Sequence, residues 1–138
     1  MARRGATMRY LLDSTVLIDH GLGRFGATQV LHRLFEETGE LFTCDVAVAE
    51  ALSRGSPEEM ASIESLVSAL EYVGTAPRSA RYAGALRRRR GQMSRRRLAD
   101  ALVAAVAWQL DATIVTRNPR DFDDAGVPVL AYGPDAGS

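Results

Sequence analysis

The stretch Leu98-Ala99-Asp100-Ala101-Leu102-Val103-Ala104-Ala105-Val106-Ala107-Trp108 is apolar on nearly every face of a helix, and three residues later comes the β-branched run Ala112-Thr113-Ile114-Val115-Thr116. A helix without a polar face is a buried one, and a short apolar run without polar alternation suits a strand covered on both sides. Three more such runs are present: Tyr10-Leu11-Leu12, Leu41-Phe42-Thr43 and Val127-Pro128-Val129-Leu130. Helical patterns lie between them. Ala27 to Glu37 places Val30, Leu31, Leu34 and Phe35 on one face, Asp45 can cap a helix carrying Val46, Val48, Ala49, Glu50 and Leu52, and Pro77 opens a helix through Leu86. Ser56-Pro57-Glu58-Glu59 has capping-box spacing with proline at the first helical position. Strands alternating with helices predict an α/β fold, a parallel sheet of four to five strands with helices on both faces and right-handed crossovers.

At 138 residues the chain is expected to form one domain that buries its own core without disulfides or a structural metal. The lone Cys44 excludes an internal disulfide, and nothing has zinc-ligand spacing, so a reducing, cytoplasmic setting is expected. No apolar run of signal-peptide or membrane-spanning length occurs, Leu11-Leu12 being interrupted by Asp13. Residues 8–132 are expected to form the domain, with 1–7 and 133–138 as flexible termini. The formal net charge is zero, yet Arg87, Arg88, Arg89, Arg90, Arg95, Arg96 and Arg97 fall within eleven residues and there is no lysine. That tract is either a solvated surface or a phosphate-binding one.

Four acids stand where packing alone does not account for a carboxylate: Asp13, Glu50, Asp100 and Asp121. Asp100 lies within the buried helix, where an uncompensated charge costs several kcal/mol. In open α/β sheets ligands bind beyond the carboxyl ends of strands where strand order reverses. Asp13 ends the first strand and Thr116 ends a later one; if these strands are neighbours, Asp13, Thr116 and Asn118 meet there. Asp13 could equally be a helix N-cap, Glu50 a solvated helix residue, and Asp121 a turn residue. Neither His20 nor His32 has a motif around it.

The blocks Tyr10-Leu11-Leu12-Asp13-Ser14-Thr15-Val16-Leu17-Ile18-Asp19, Val48-Ala49-Glu50-Ala51-Leu52, Leu98-Ala99-Asp100-Ala101-Leu102 and Ile114-Val115-Thr116-Arg117-Asn118 with Asp121-Phe122 together resemble the PIN-domain ribonucleases, in particular the VapC-type toxins of bacterial toxin–antitoxin pairs. The resemblance runs from Arg9 to about Tyr132. It implies a metal-dependent endoribonuclease using Mg²⁺ or Mn²⁺, with Asp13 and Asp100 as principal metal ligands and Glu50 and Asp121 completing the catalytic acids. Asn118 stands where relatives can carry an acid, with Asp121 three residues on. Thr116, Asn118 and Ser14 or Thr15 would orient ligands and waters. The resemblance also implies RNA as substrate, a homodimer, a VapB-like antitoxin covering the acidic pocket, and inhibition of translation or growth.

The rivals differ in class. A non-catalytic RNA-binding module would rest on the Arg87–Arg97 tract. Gly21-Leu22-Gly23-Arg24-Phe25-Gly26 matches the dinucleotide fingerprint, but only if Val16 to Ile18 form the preceding strand; it is read instead as a loop between helices.

Overall fold

The computed structural model describes residues 7–37, 39–89, 97–134 and 136. The elements run β1 (Arg9–Leu12), α1 (Ser14–Leu22), α2 (Ala27–Glu36), β2 (Glu40–Cys44), α3 (Asp45–Ala51), α4 (Pro57–Ser68), β3 (Glu71–Val73), α5 (Pro77–Arg89), α6 (Leu98–Leu110), β4 (Thr113–Thr116), a 3-10 turn (Pro119–Phe122) and β5 (Val129–Ala131). All strand pairs are parallel, in the order β3-β2-β1-β4-β5. The Arg90, Arg95 and Arg96 positions of the basic tract lie outside the described residues.

Successive strand residues point to opposite sides of a sheet, and both Leu11 and Leu12 of β1, like Ile114 and Val115 of β4, are fully buried. The two central strands are therefore covered on both faces. α6 contributes Ala101 and the run Val103 to Ala107 to the buried interior, and only its ends, at Leu98 and Trp108, are exposed. The Trp108 ring stacks on Tyr82 of α5, with ring centroids 4.4 Å apart, and lies under the Arg78 guanidinium. α4 starts as its sequence predicts: the Ser56 hydroxyl accepts from the Glu59 N–H at 3.1 Å and Pro57 occupies the first turn.

Four expectations need correction. β3 was missed because it is a three-residue strand whose Glu71 and Tyr72 are exposed, so it carries no apolar run. The last strand is Val129–Ala131 rather than Val127–Leu130; Pro128 has no N–H to give the ladder, although its carbonyl accepts from Ile114 at 3.0 Å. Asp45 is the first residue of α3 rather than its cap, and it instead ties α3 to the loop after β3 by accepting from the Thr75 N–H and hydroxyl at 3.2 and 3.0 Å. α5 continues past Leu86 to Arg89. Val16 to Ile18 lie in α1, and Gly21 with them, so the glycine pattern follows no strand and the dinucleotide reading falls. Gly23, at φ 63°, supplies the left-handed residue that ends α1.

Candidate acidic active site

β1 is followed in the chain by the crossover to β2 on one side, while β4 lies on its other side. This reversal is where α/β sheets hold ligands. Leu12 is in register with Val115, and the ladder extends one residue further through the Asp13 N–H, which donates to the Val115 carbonyl at 3.2 Å. Asp13 and Thr116 thus leave neighbouring strands side by side.

Asp13 is both the N-cap of α1 and a member of the acidic site. Its Oδ1 accepts from the Thr15 N–H at 3.0 Å, the Thr15 hydroxyl at 2.6 Å and the Val16 N–H at 3.4 Å. Only 4% of the residue is exposed. Burial lifts its carboxyl from the ordinary 3.8 to about 6, and hydrogen bonds from Thr116, Thr15 and Val16 pull partly the other way. Thr15 gives its one hydroxyl proton to Asp13 and accepts from the Arg117 N–H at 3.1 Å; Thr116 accepts from the Asn118 N–H at 3.0 Å, and the two hydroxyl oxygens are 3.4 Å apart. Between Ser14 and Thr15 it is therefore Thr15 that holds Asp13, while Ser14 opens α1. Asn118 contributes its backbone N–H to Thr116 and precedes the 3-10 turn that carries Asp121.

Asp100 sits in the first turn of α6. Its carboxyl is also pushed up to about 6, first by burial and next by the charge of Asp121; Arg97 opposes this, and Glu50 and Asp13 add to it. Asp100 thus feels the charges of three carboxylates that come from elsewhere in the chain. Glu50, on α3, pairs with the Arg97 guanidinium at 3.8 Å. Arg97 is accordingly the local counter-charge of the acidic site. Of the remaining described members of the basic tract, Arg88 and Arg89 are exposed, and Arg87 is half-buried with an Nε that has no hydrogen-bond partner.

Among the described residues no three Asp, Glu, His or Cys side chains are drawn together closely enough to form a cage for a metal ion. The donor set nevertheless fits one type of cation. Mg²⁺ and Mn²⁺ favour oxygen ligands, and Mg²⁺ retains most of its waters, so one or two carboxylates with substrate phosphate hold it where no protein cage exists. Asp13, raised by burial, and Asp100, raised by burial and by like charge, are the pair that a divalent cation would relieve most.

The residue that sequence reasoning missed is Asp19. It is fully buried in α1, accepts from Arg24 Nε at 2.9 Å, from Arg117 Nε at 2.7 Å and from the Tyr132 hydroxyl at 2.7 Å. Tyr132 is pushed far up by burial and by its bond to Asp19. The signal was available: Asp19 falls three residues after buried Val16, on the core-facing side of the helix. This network holds Arg117, and through it the end of β4, against α1.

Residues 10–128 match the PIN domain family. The chain is 32% identical over 114 residues to "Ribonuclease VapC19" of Mycobacterium tuberculosis, a match spanning 81% of this chain and 90% of that one. Its fold is shared by VapBC2 from Rickettsia felis bound to a DNA fragment from their promoter, with a TM-score of 0.75 at 19% identity over 91% of this chain and 99% of that one. It is also shared by DNA-bound VapBC from Salmonella typhimurium, with a TM-score of 0.69 at 18% identity over 89% and 97% of the two chains. With the family match running from residue 10 to residue 128, through the positions of all four acids, the chain belongs to the PIN-domain family.

Proposed function

We propose that this protein is a metal-dependent endoribonuclease acting as the toxin of a toxin–antitoxin pair. The observation that supports the reading is that Asp100 feels the charges of Asp121, Glu50 and Asp13 from three other parts of the chain, with Asp13 and Asp100 both raised to about 6. Buried carboxylates that repel one another cost stability, and a cation shared with RNA phosphate is the occupant that makes such a cluster favourable. Its name makes VapC19 a ribonuclease, and the PIN match over residues 10–128 includes all four acids; both support the same chemistry here.

Asp13 and Asp100 would hold Mg²⁺ or Mn²⁺, which supplies an acidified water as nucleophile and screens charge developing on the phosphate. The chain's own residues prepare that site. Thr15 and Thr116 aim the Asp13 carboxylate, Glu50 and Asp121 set the local negative field, and Arg97 keeps Glu50 from adding its full charge. Exposed Arg88 and Arg89, with the rest of the tract, would attract the RNA backbone. The VapBC assemblies that share the fold support a VapB-like antitoxin as partner, and we extend the reading to a cytoplasmic homodimer that stops growth when the antitoxin is lost.

Incubating the purified chain with total RNA in Mn²⁺, with EDTA as the control, tests it. Cleavage that requires metal and falls by orders of magnitude in Asp13→Asn and Asp100→Asn is expected. Full activity in EDTA or in either variant would overturn the assignment, and RNA that is bound but uncut in Mn²⁺ would make the chain an RNA-binding module held by its arginine tract.

A further inference from the structure

A cavity of about 420 Å³ opens between α1, the turn after α3 and the start of α4. Its size falls within the roughly 300–1,000 Å³ of ligand pockets. Ile18, Leu22, Ala51 and Ile63 give its lining an apolar part, and Arg24, Arg54 and Arg117 line it too, with Glu59 as the one acid among its lining residues. Arg24 and Arg117 do not belong to it by chance of rotamer: buried Asp19 takes the Nε–H of each, and both guanidiniums lie over the Phe25 ring, at 4.9 and 4.7 Å. Phe25 itself is held at φ 58° with its ring exposed. Three guanidiniums against Asp19 and Glu59 leave the cavity with one excess positive charge.

Arg117 links the cavity's lining to the acidic site, since its N–H bonds the Thr15 hydroxyl that holds Asp13 and its predecessor is Thr116. A lining that combines apolar side chains with guanidiniums, two of them held by Asp19, suits a ligand with one flat apolar part and one singly charged oxyanion. A nucleotide within an RNA strand has that form.

We propose that this cavity holds one nucleotide of the RNA substrate beside the cut, its base over Ile18, Leu22 and Ile63 and its phosphodiester on Arg54, with Arg24 and Arg117 behind. This rests on the ribonuclease reading and adds a subsite to it. Arg54 is the residue to test, because it is exposed, whereas removing Arg24 or Arg117 would strip a buried carboxylate of its partner. Binding of a fluorescein-labelled ten-nucleotide single-stranded RNA is measured in EDTA, so that no cutting occurs, across a range of salt concentrations. Arg54→Gln should flatten the salt dependence by about 0.7 log units per decade, which corresponds to about a fivefold loss of affinity at 0.1 M relative to 1 M salt. Glu59→Gln should act in the opposite direction and tighten binding. Arg33→Gln, an exposed arginine on α2 away from the cavity lining, serves as the control.

If Arg54→Gln behaves as Arg33→Gln does, while wild-type protein binds RNA and cuts it in Mn²⁺, the subsite is overturned and the ribonuclease reading stands. Wild-type protein that neither binds nor cuts RNA would overturn both. Unaltered RNA binding in Arg54→Gln together with weakened capture of a co-expressed antitoxin would assign the cavity to a protein partner instead.

Discussion

Replacing Asp13 with asparagine should stabilise the metal-free protein at neutral pH, although it removes a residue that caps a helix. The carboxyl is 4% exposed and its folded value is about 6 against an ordinary 3.8. A difference of that size corresponds to about 3 kcal/mol against the folded state once the group is ionised. Because the folded value is raised, folding is favoured by the protonated form: the benefit is complete below pH 3.8, is lost as pH rises, and is gone above about 6. Asparagine can keep the cap, since its Oδ1 accepts from the Thr15 and Val16 N–H groups as the carboxylate does and it ranks with aspartate as an N-cap. One amide N–H without an acceptor would cost about 1 kcal/mol, leaving a net gain of about 2 kcal/mol. Urea denaturation in EDTA at pH 7.5 measures it. At pH 5 the gap should shrink by about 1.4 kcal/mol, because wild-type Asp13 is then mostly protonated in the folded state. A variant at least 1 kcal/mol less stable than wild type at pH 7.5, or a difference that ignores pH, would refute the reasoning and make Asp13 a structural cap above all.

Arg117→Met leaves buried Asp19 with Arg24 and Tyr132 as the partners described above, and should cost about 3 kcal/mol in urea denaturation, the lower part of the range for breaking a buried ion pair; a loss under about 1 kcal/mol would mean that Asp19 is satisfied without Arg117. Thr116→Val removes a hydrogen bond that lowers the Asp13 carboxyl, so carboxyl-carbon NMR in EDTA should find Asp13 titrating above its wild-type midpoint, and an unchanged midpoint would exclude that bond. Metal at about 100 times its dissociation constant should stabilise wild type by about 2.7 kcal/mol and Asp100→Asn far less, read as thermal shifts with Mn²⁺ and with EDTA; equal shifts would remove Asp100 from the ligand set. Ser56→Ala should cost about 1 kcal/mol through loss of the bond to the Glu59 N–H, and a neutral result would show that Pro57 alone sets the start of α4.

The parallel α/β architecture was legible because burial on both faces of a sheet leaves short, unalternating apolar runs such as Tyr10–Leu12 and Ala112–Thr116, and because caps such as Ser56-Pro57 act through local hydrogen bonds. β3 was not legible, since an edge strand of three residues with exposed Glu71 and Tyr72 is specified by its neighbour β2 rather than by its own composition. The acids Asp13, Glu50, Asp100 and Asp121 could be picked out one by one, as carboxylates in places that packing does not favour. What only tertiary structure decided is that Asp13 leaves β1 beside the end of β4 and that Asp100 feels the charges of the other three: β1 and β4 pair across a hundred residues of chain, and no local pattern encodes that adjacency. The same holds for Asp19, whose partners Arg24, Arg117 and Tyr132 come from a loop and two strand ends. Locally it is one more charged residue on a helix; its burial, and the two arginines that it holds over Phe25, exist only once α1 is packed against the end of β4. Hydrophobic periodicity and capping are written within a few residues of chain, whereas a charge is stabilised by whatever folding brings beside it, which is why the sequence determined the frame and the candidate acids while the structure decided their partners.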